Sequence, residues 1–257
     1  MLRRLLVCGA LAFTIAVDVP RATAQDAQAA IKAAQYALGM IRGPRRIAAV
    51  ATLEYWGEGS VDGMKANYHA SLSYIVPAMR VDILRENPNG REIHVVSGAF
   101  AWDESVPGAG FMKNTTATPV PKALKARLLE LWTTPFGALK AAERAGANAK
   151  AGKEGGATII RFPFSGGLAG ISATVVLNAK NEVERVATQG DPELSSETSY
   201  SEYKDLGEIK SDVPFPTRIT RRQGGRTALD LTITKTDPNN PYVVFPVPEN
   251  IEKSASR

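Results

Sequence analysis

The sequence has few of the residues that form disulfides, thiol sites and metal centres. It contains one cysteine, Cys8, and two histidines, His69 and His94, which are far apart in the chain. A zinc site needs several such ligands in a cluster, so the sequence predicts no metal and no cofactor. The formal net charge of +5 over 257 residues is too small to indicate a nucleic-acid partner.

The N-terminus has the three parts of a secretory signal peptide. A basic start is followed by an apolar run over residues 5–17 and by the small-residue sequence Ala22-Thr23-Ala24. Cys8 lies inside the apolar run rather than after it, which argues against lipidation. We therefore expect residues 1–24 to be removed and the mature protein to be periplasmic. It would then have no cysteine and no apolar run long enough to span a membrane.

Most of the remaining sequence has the pattern of antiparallel β-strands. Apolar residues alternate with polar ones in segments such as Ile171–Leu177 and Leu229–Ile233, and short turn sequences separate the segments. A similar block of strands is predicted over residues 43–103. We expect the two blocks to share one sheet, because neither looks large enough to close into a barrel alone.

Helices are predicted at two places in the chain. An alanine-rich amphipathic pattern predicts a helix over Asp26–Met40. Two more are predicted within a helical insert at residues 122–146, where Thr134 is a candidate N-cap with Pro135 at the first helical position. The sequence thus predicts an α+β fold with helices on one face of the sheet.

Several segments resemble the periplasmic outer-membrane lipoprotein carrier superfamily. REIHVVSGAFAWDES is similar to its strand–glycine–strand hairpin, PAMRVDIL to the preceding strand, ISATVVLNAKNEVERVATQ to a tightly turned strand pair, and TSYSEYKDLGEI with FPTRI to its last long hairpin. The helical insert and the GGRTALDLTIT hairpin depart from that family. The resemblance implies an antiparallel half-open β-barrel wrapped around helices, and with it a lipid-type ligand. The resemblance does not assign any functional residue of the carriers to a position in this sequence.

The domain organisation expected from these patterns is simple. Residues 1–24 are the signal peptide, residues 25–248 form a single domain that contains the insert, and residues 249–257 form a C-terminal tail. The mature protein is expected to be a monomer.

The candidate binding residues are aromatic side chains on strands and leucines on the first helix of the insert. Their functional interpretation is an apolar cavity between the sheet and a covering helix, and the alternative is an ordinary packed core. The predicted ligand-binding residues are Tyr55, Trp56, Phe100, Trp102, Leu124, Leu128, Leu131 and Trp132. They predict a non-enzymatic, carrier-type protein that holds an acyl chain, a lipid or a lipidated protein.

Two other functions remain open at the level of sequence. The first is an envelope protein-interaction or stress-sensing module, which a filled interior and an exposed apolar patch would favour. The second is a hydrolase that uses the clustered carboxylates, which requires them to converge in a cleft. The clusters are Asp103-Glu104, Glu182 with Glu184, and Glu202 with Asp205.

Overall fold

The structure, a computed structural model, describes residues 24–41, 50–86 and 90–255. The predicted signal peptide lies outside these residues except for Ala24, which begins the first helix. The start of the predicted strand block at residues 43–49 also lies outside them. None of the helices in the described ranges is long and apolar enough to cross a membrane.

Within the described residues, thirteen strands form one sheet, and every pair of neighbours in it is antiparallel. The strands are β1 (Thr52–Val61), β2 (Met64–Ser73), β3 (Ala78–Arg85), β4 (Arg91–Ser97), β5 (Phe100–Glu104), β6 (Ala117–Pro119), β7 (Lys150–Glu154), β8 (Ala157–Pro163), β9 (Ser172–Leu177), β10 (Val183–Gln189), β11 (Ser196–Lys204), β12 (Phe215–Gln223) and β13 (Arg226–Pro238). Their order across the sheet is β6-β5-β4-β3-β2-β1-β13-β12-β11-β10-β9-β8-β7. The two blocks of strands therefore share one sheet, as predicted, and they meet where β1 pairs with β13.

The predicted fold class is wrong. Instead of an α+β half-open barrel wrapped around helices, the protein is a single open sheet in which strand residues outnumber helical residues about two to one. Short hairpins join most strands to their neighbours in space, so the sheet grows outwards in both directions from the β1–β13 pair and ends at β6 and β7. Closure would require β6 to pair with β7, and these strands do not pair.

The helices of the described chain are short. They are α1 (Ala24–Ala37), α2 (Leu124–Thr133), α3 (Pro135–Ala145) and α4 (Glu249–Ala255). The predicted cap at the start of α3 is confirmed: the Thr134 side chain accepts a hydrogen bond from the Gly137 amide, and Pro135 occupies the first turn. Helix α4 forms in the segment predicted to be a tail.

Each face of the sheet carries its own hydrophobic core. The helix face packs against α1, α2 and α3 and forms the main core around residues such as Tyr55, Leu131 and Phe215. The outer face packs against the C-terminal segment and α4 and forms a second core around Trp102 and Phe245. Helices thus lie on both faces, and not on one face as the sequence predicted.

Candidate functional site

The structure divides the eight predicted ligand-binding residues between the two faces. Tyr55 lies in the main core, whereas Trp56, the next residue in β1, points to the outer face and stacks on His69 with the ring centroids 4.4 Å apart. Trp102 and Phe100 belong to the second core. The cause is the two-residue period of a strand, which sends neighbouring side chains to opposite faces.

The four predicted residues of α2 all lie on the helix face. Leu128, Leu131 and Trp132 are buried in the main core, and Leu124 is half-buried against it. The structure therefore brings these four and Tyr55 to one core. The side chains of Trp56, Phe100 and Trp102 point to the other face of the sheet.

The helix face next to Tyr55 is packed with aromatic rings. The Tyr55 and Phe215 centroids are 5.1 Å apart, and those of Phe136 and Phe215 are 5.8 Å apart. All three side chains are almost fully buried. The middle of the helix face is therefore a filled core.

A pocket of about 270 Å³ lies at the margin of this core, where α2 and α3 meet three turns of the sheet. We call it the helix pocket. Its lining residues are Pro77, Gly98, Leu128, Trp132, Ala141, Arg144, Ala145, Pro163, Phe164, Ser165, Gly167 and Leu168. Most of its lining side chains are apolar, but polar atoms make up about half of its surface. It includes two of the predicted residues, Leu128 and Trp132.

The other residues that form the helix pocket were not predicted. Ala141 and Arg144 come from α3, while Phe164 and Leu168 follow β8. Nothing in the sequence indicates that the turn at residues 165–167 meets Leu128. That contact joins segments that are far apart in the chain.

A second apolar concavity, the outer groove, lies on the opposite face and has a volume of about 560 Å³. It runs between the turn after β2 and the segment after β13. The apolar residues that line it are Ile75, Val76, Ala78, Pro241, Val243, Val244, Phe245 and Pro246. Ile75 is 73% exposed and Val244 is 65% exposed, so the groove has an uncovered hydrophobic rim.

The predicted carboxylate clusters do not converge in a cleft. Asp103 and Glu104 point to opposite faces, and each has its own partners. Arg127 of α2 donates a hydrogen bond to Asp103, while Glu104 accepts hydrogen bonds from Arg80 and from Trp102 Nε1 at 3.0 Å each. Within the described part of the chain, both acids therefore make hydrogen bonds that stabilise the fold.

The other two acidic clusters are also engaged locally. Glu182 accepts a hydrogen bond from Asn178 at 2.8 Å, and Glu202 accepts one from Thr217 at 3.2 Å. Asp205 accepts hydrogen bonds from the backbone amides of Gly207, Ser211 and Asp212, which fold the loop after β11 around it. We find no opposed pair of carboxylates among these residues.

One polar cluster on the outer face has the residue types of a nucleophilic site. Ser71 Oγ lies 2.8 Å from Glu54 Oε1 and 3.3 Å from His69 Nε2, and that same Nε2 lies 3.0 Å from Glu54 Oε1. In a catalytic triad the acid and the nucleophile contact different nitrogens of the imidazole. Here one nitrogen contacts both, so the geometry is not that of a triad. Within the described ranges, no three or more His, Cys, Asp and Glu side chains come together as the ligands of a metal ion would.

Comparisons with known proteins leave the chain without an assigned family. No protein-family model matches it, and no curated protein sequence matches it.

Proposed function

We propose that the protein binds an apolar ligand, the acyl chain of a lipid or of a lipidated protein, in the helix pocket. In this proposal it acts without catalysis, as a monomer, in the periplasm after removal of residues 1–24. The observation that supports it is the pocket itself, in which Leu128, Trp132, Phe164 and Leu168 offer apolar surface beside an otherwise filled core. Burial of ligand surface there would contribute about 25 cal/mol per Å² before the costs of ordering.

The proposal predicts binding of a fluorescent fatty acid that depends on open space beside Gly167. A Cβ atom at Gly167 would lie 3.8 Å from Leu128 Cδ1, which is ordinary contact, so a small side chain fits and a larger one fills the pocket. We expect the wild-type protein to bind the fatty acid with a dissociation constant in the micromolar range. Gly167→Leu should weaken binding at least about tenfold, a change of about 1.4 kcal/mol.

Ala169→Leu provides the matched control, because Ala169 is exposed in the same loop and does not line the pocket. It should bind like the wild type. Thermal melts must show that both variants are folded. A folded wild-type protein that takes up no acyl ligand, and carries none when examined by native mass spectrometry, would exclude this function.

A partner-binding function is the second candidate, and the outer groove favours it. Its lining residues Ile75, Val76 and Val244 are 73%, 56% and 65% exposed, and exposed apolar side chains that line one groove are typical of an interaction site. The two functions require different surfaces to be intact. Val244→Asp would change the groove and leave fatty-acid binding at the helix pocket unaltered.

A further inference from the structure

A positive charge lies at the rim of the helix pocket. Among the described residues that line it, Arg144 is the only charged side chain. Its guanidinium lies over the Trp132 ring, 4.5 Å from the centroid, and Arg144 Nη2 donates a hydrogen bond to the Tyr74 carbonyl at 3.2 Å. A guanidinium has five N–H donors, so this arrangement holds Arg144 in place and leaves donors for a ligand.

A second cation stands next to Arg144 on the same side of α3. Lys140 precedes it by one helical turn, and its ammonium lies 5.6 Å from the centroid of the Tyr74 ring. Like charges four residues apart on a helix repel each other. Burial lowers the pKa of Lys140; Glu143 opposes this effect and Arg144 adds to it. In the described chain neither Lys140 nor Arg144 forms a salt bridge.

The size of the pocket limits the apolar part of the ligand. Pockets that bury drug-sized ligands measure about 300–1,000 Å³. At about 270 Å³ the helix pocket is smaller than this range. It suits one acyl chain, or the end of one, and it is too small for the several chains of a complete membrane lipid.

We infer that the ligand of the helix pocket is a single-chain amphiphile with an anionic head group, a carboxylate or a phosphate. The chain lies against Leu128, Phe164 and Leu168, and the head group accepts hydrogen bonds from Arg144 beside Lys140. Arginine suits this role because its planar fork matches carboxylate and phosphate oxygens, and because Trp132 orients it. The inference depends on the proposed function, since it specifies which acyl ligand the same pocket takes.

The test compares three probes that share a twelve-carbon chain: dodecanoate, dodecyl phosphate and neutral 1-dodecanoylglycerol. Binding is measured by calorimetry below the micelle concentration of each probe. We expect the two anions to bind about tenfold or more tightly than the neutral probe. The comparison between dodecanoate and dodecyl phosphate tells whether the site prefers a fatty acid or a phosphate head group.

Arg144→Gln tests the assigned residue. It should reduce the affinity for both anions to about that for the neutral probe, and leave the affinity for the neutral probe unchanged. Arg144→Lys keeps the charge and should retain part of the preference. Arg222→Gln removes one positive charge from an exposed position in β12 and should bind all three probes like the wild type.

The outcomes separate the inference from the function on which it depends. If none of the three probes binds, both fail. If all three bind equally, the pocket binds acyl chains and the anionic head group is excluded. If Arg144→Gln weakens neutral and anionic probes alike, or leaves the anion preference intact, Arg144 is not the residue that recognises the head group.

Discussion

At the scale of single residues, charged side chains attach the helices to the sheet. Arg127 of α2 donates hydrogen bonds to the carbonyls of Val95 and Trp102, at 3.0 and 2.6 Å, and a further one to Asp103. His94 Nδ1 lies 2.9 Å from Asp103 Oδ1. Burial alone would raise the pKa of Asp103, but the hydrogen bonds from His94 and Arg127 outweigh it and hold the pKa below its ordinary value.

This network predicts a pH-dependent contribution of Asp103 to stability. A carboxylate whose pKa is lower in the folded state stabilises the fold above its unfolded pKa, about 4, and this contribution is lost as the pH falls through the folded pKa. Asp103→Asn should therefore be less stable than the wild type at pH 7. The difference in urea midpoint should shrink as the pH falls from about 4 towards 2.

The other carboxylates titrate in both the wild type and Asp103→Asn, so their effects cancel in the difference between the two urea midpoints. A difference in midpoint that stays constant between pH 7 and pH 2 would show that the charge of Asp103 contributes nothing to folding.

At the scale of elements, β1 shows how glycines shape the centre of the sheet. The pairing of β1 with β13 shifts register between Trp56 and Gly57, which marks a bulge. A Cβ atom at Gly59 would lie 2.0 Å from the Asp230 carbonyl oxygen of β13. Both glycines lie inside β1 and allow β13 to approach closely.

The close approach predicts a large effect for Gly59→Ala. Because the clash is with backbone rather than with a flexible side chain, we expect a loss of about 3 kcal/mol in the free energy of unfolding. Gly98→Ala is the control: Gly98 has a positive φ of 57°, but nothing lies within 4 Å of an added Cβ. It should cost about 1–2 kcal/mol through backbone strain alone.

Chemical denaturation of the two variants and the wild type measures both effects. If Gly59→Ala is no more harmful than Gly98→Ala, the contact between β1 and β13 is not as tight as the structure shows.

At the scale of the whole molecule, the main core contains an unusual number of tyrosines. Burial raises the pKa of five of the seven, and in each case it is the largest cause. The five are Tyr55, Tyr68, Tyr74 and Tyr200, which lie in the main core, and Tyr203, which is partly buried against it. Their hydroxyls are satisfied inside the fold; Tyr200, for example, donates to the Thr133 carbonyl at 2.6 Å and so connects β11 to α2.

The buried tyrosines predict how the protein responds to alkali. Their folded pKa values are raised, so their contribution to stability is present below the unfolded pKa of about 10 and falls as the pH rises above it. Five tyrosines should stay protonated while the protein is folded and should ionise together when it unfolds. Absorbance of tyrosinate and circular dichroism, recorded on the same samples, should therefore change at the same pH.

In urea, the tyrosines of the unfolded protein should ionise near pH 10. Ionisation of most tyrosines near pH 10 in a protein that keeps its native circular dichroism would contradict the packed core.

Local features of the fold could be predicted because they depend on residues that are close in the chain. Alternation over Ile171–Leu177 and Leu229–Ile233 predicted strands that the structure contains as β9 and part of β13. The cap at Thr134 was predicted from two adjacent residues. The full extent of the sheet could not be predicted in this way. Strand β7 has the sequence KAGKE, whose residues have low strand propensity, and it forms because β8 supplies a partner.

The sequence by itself determined the period of most strands, the antiparallel pairing of strands joined by short turns and the start of α3, since each follows from residues that are close in the chain. Only the tertiary structure decided which face each side chain joins and where a pocket remains. The pairing of β1 with β13 joins segments more than 160 residues apart. The helix pocket likewise forms where α2, α3 and the turn after β8 meet, so Leu128, Arg144 and Phe164 become neighbours only through packing. Such long-range contacts leave no periodic signal in the chain, because each depends on how the whole sheet is assembled.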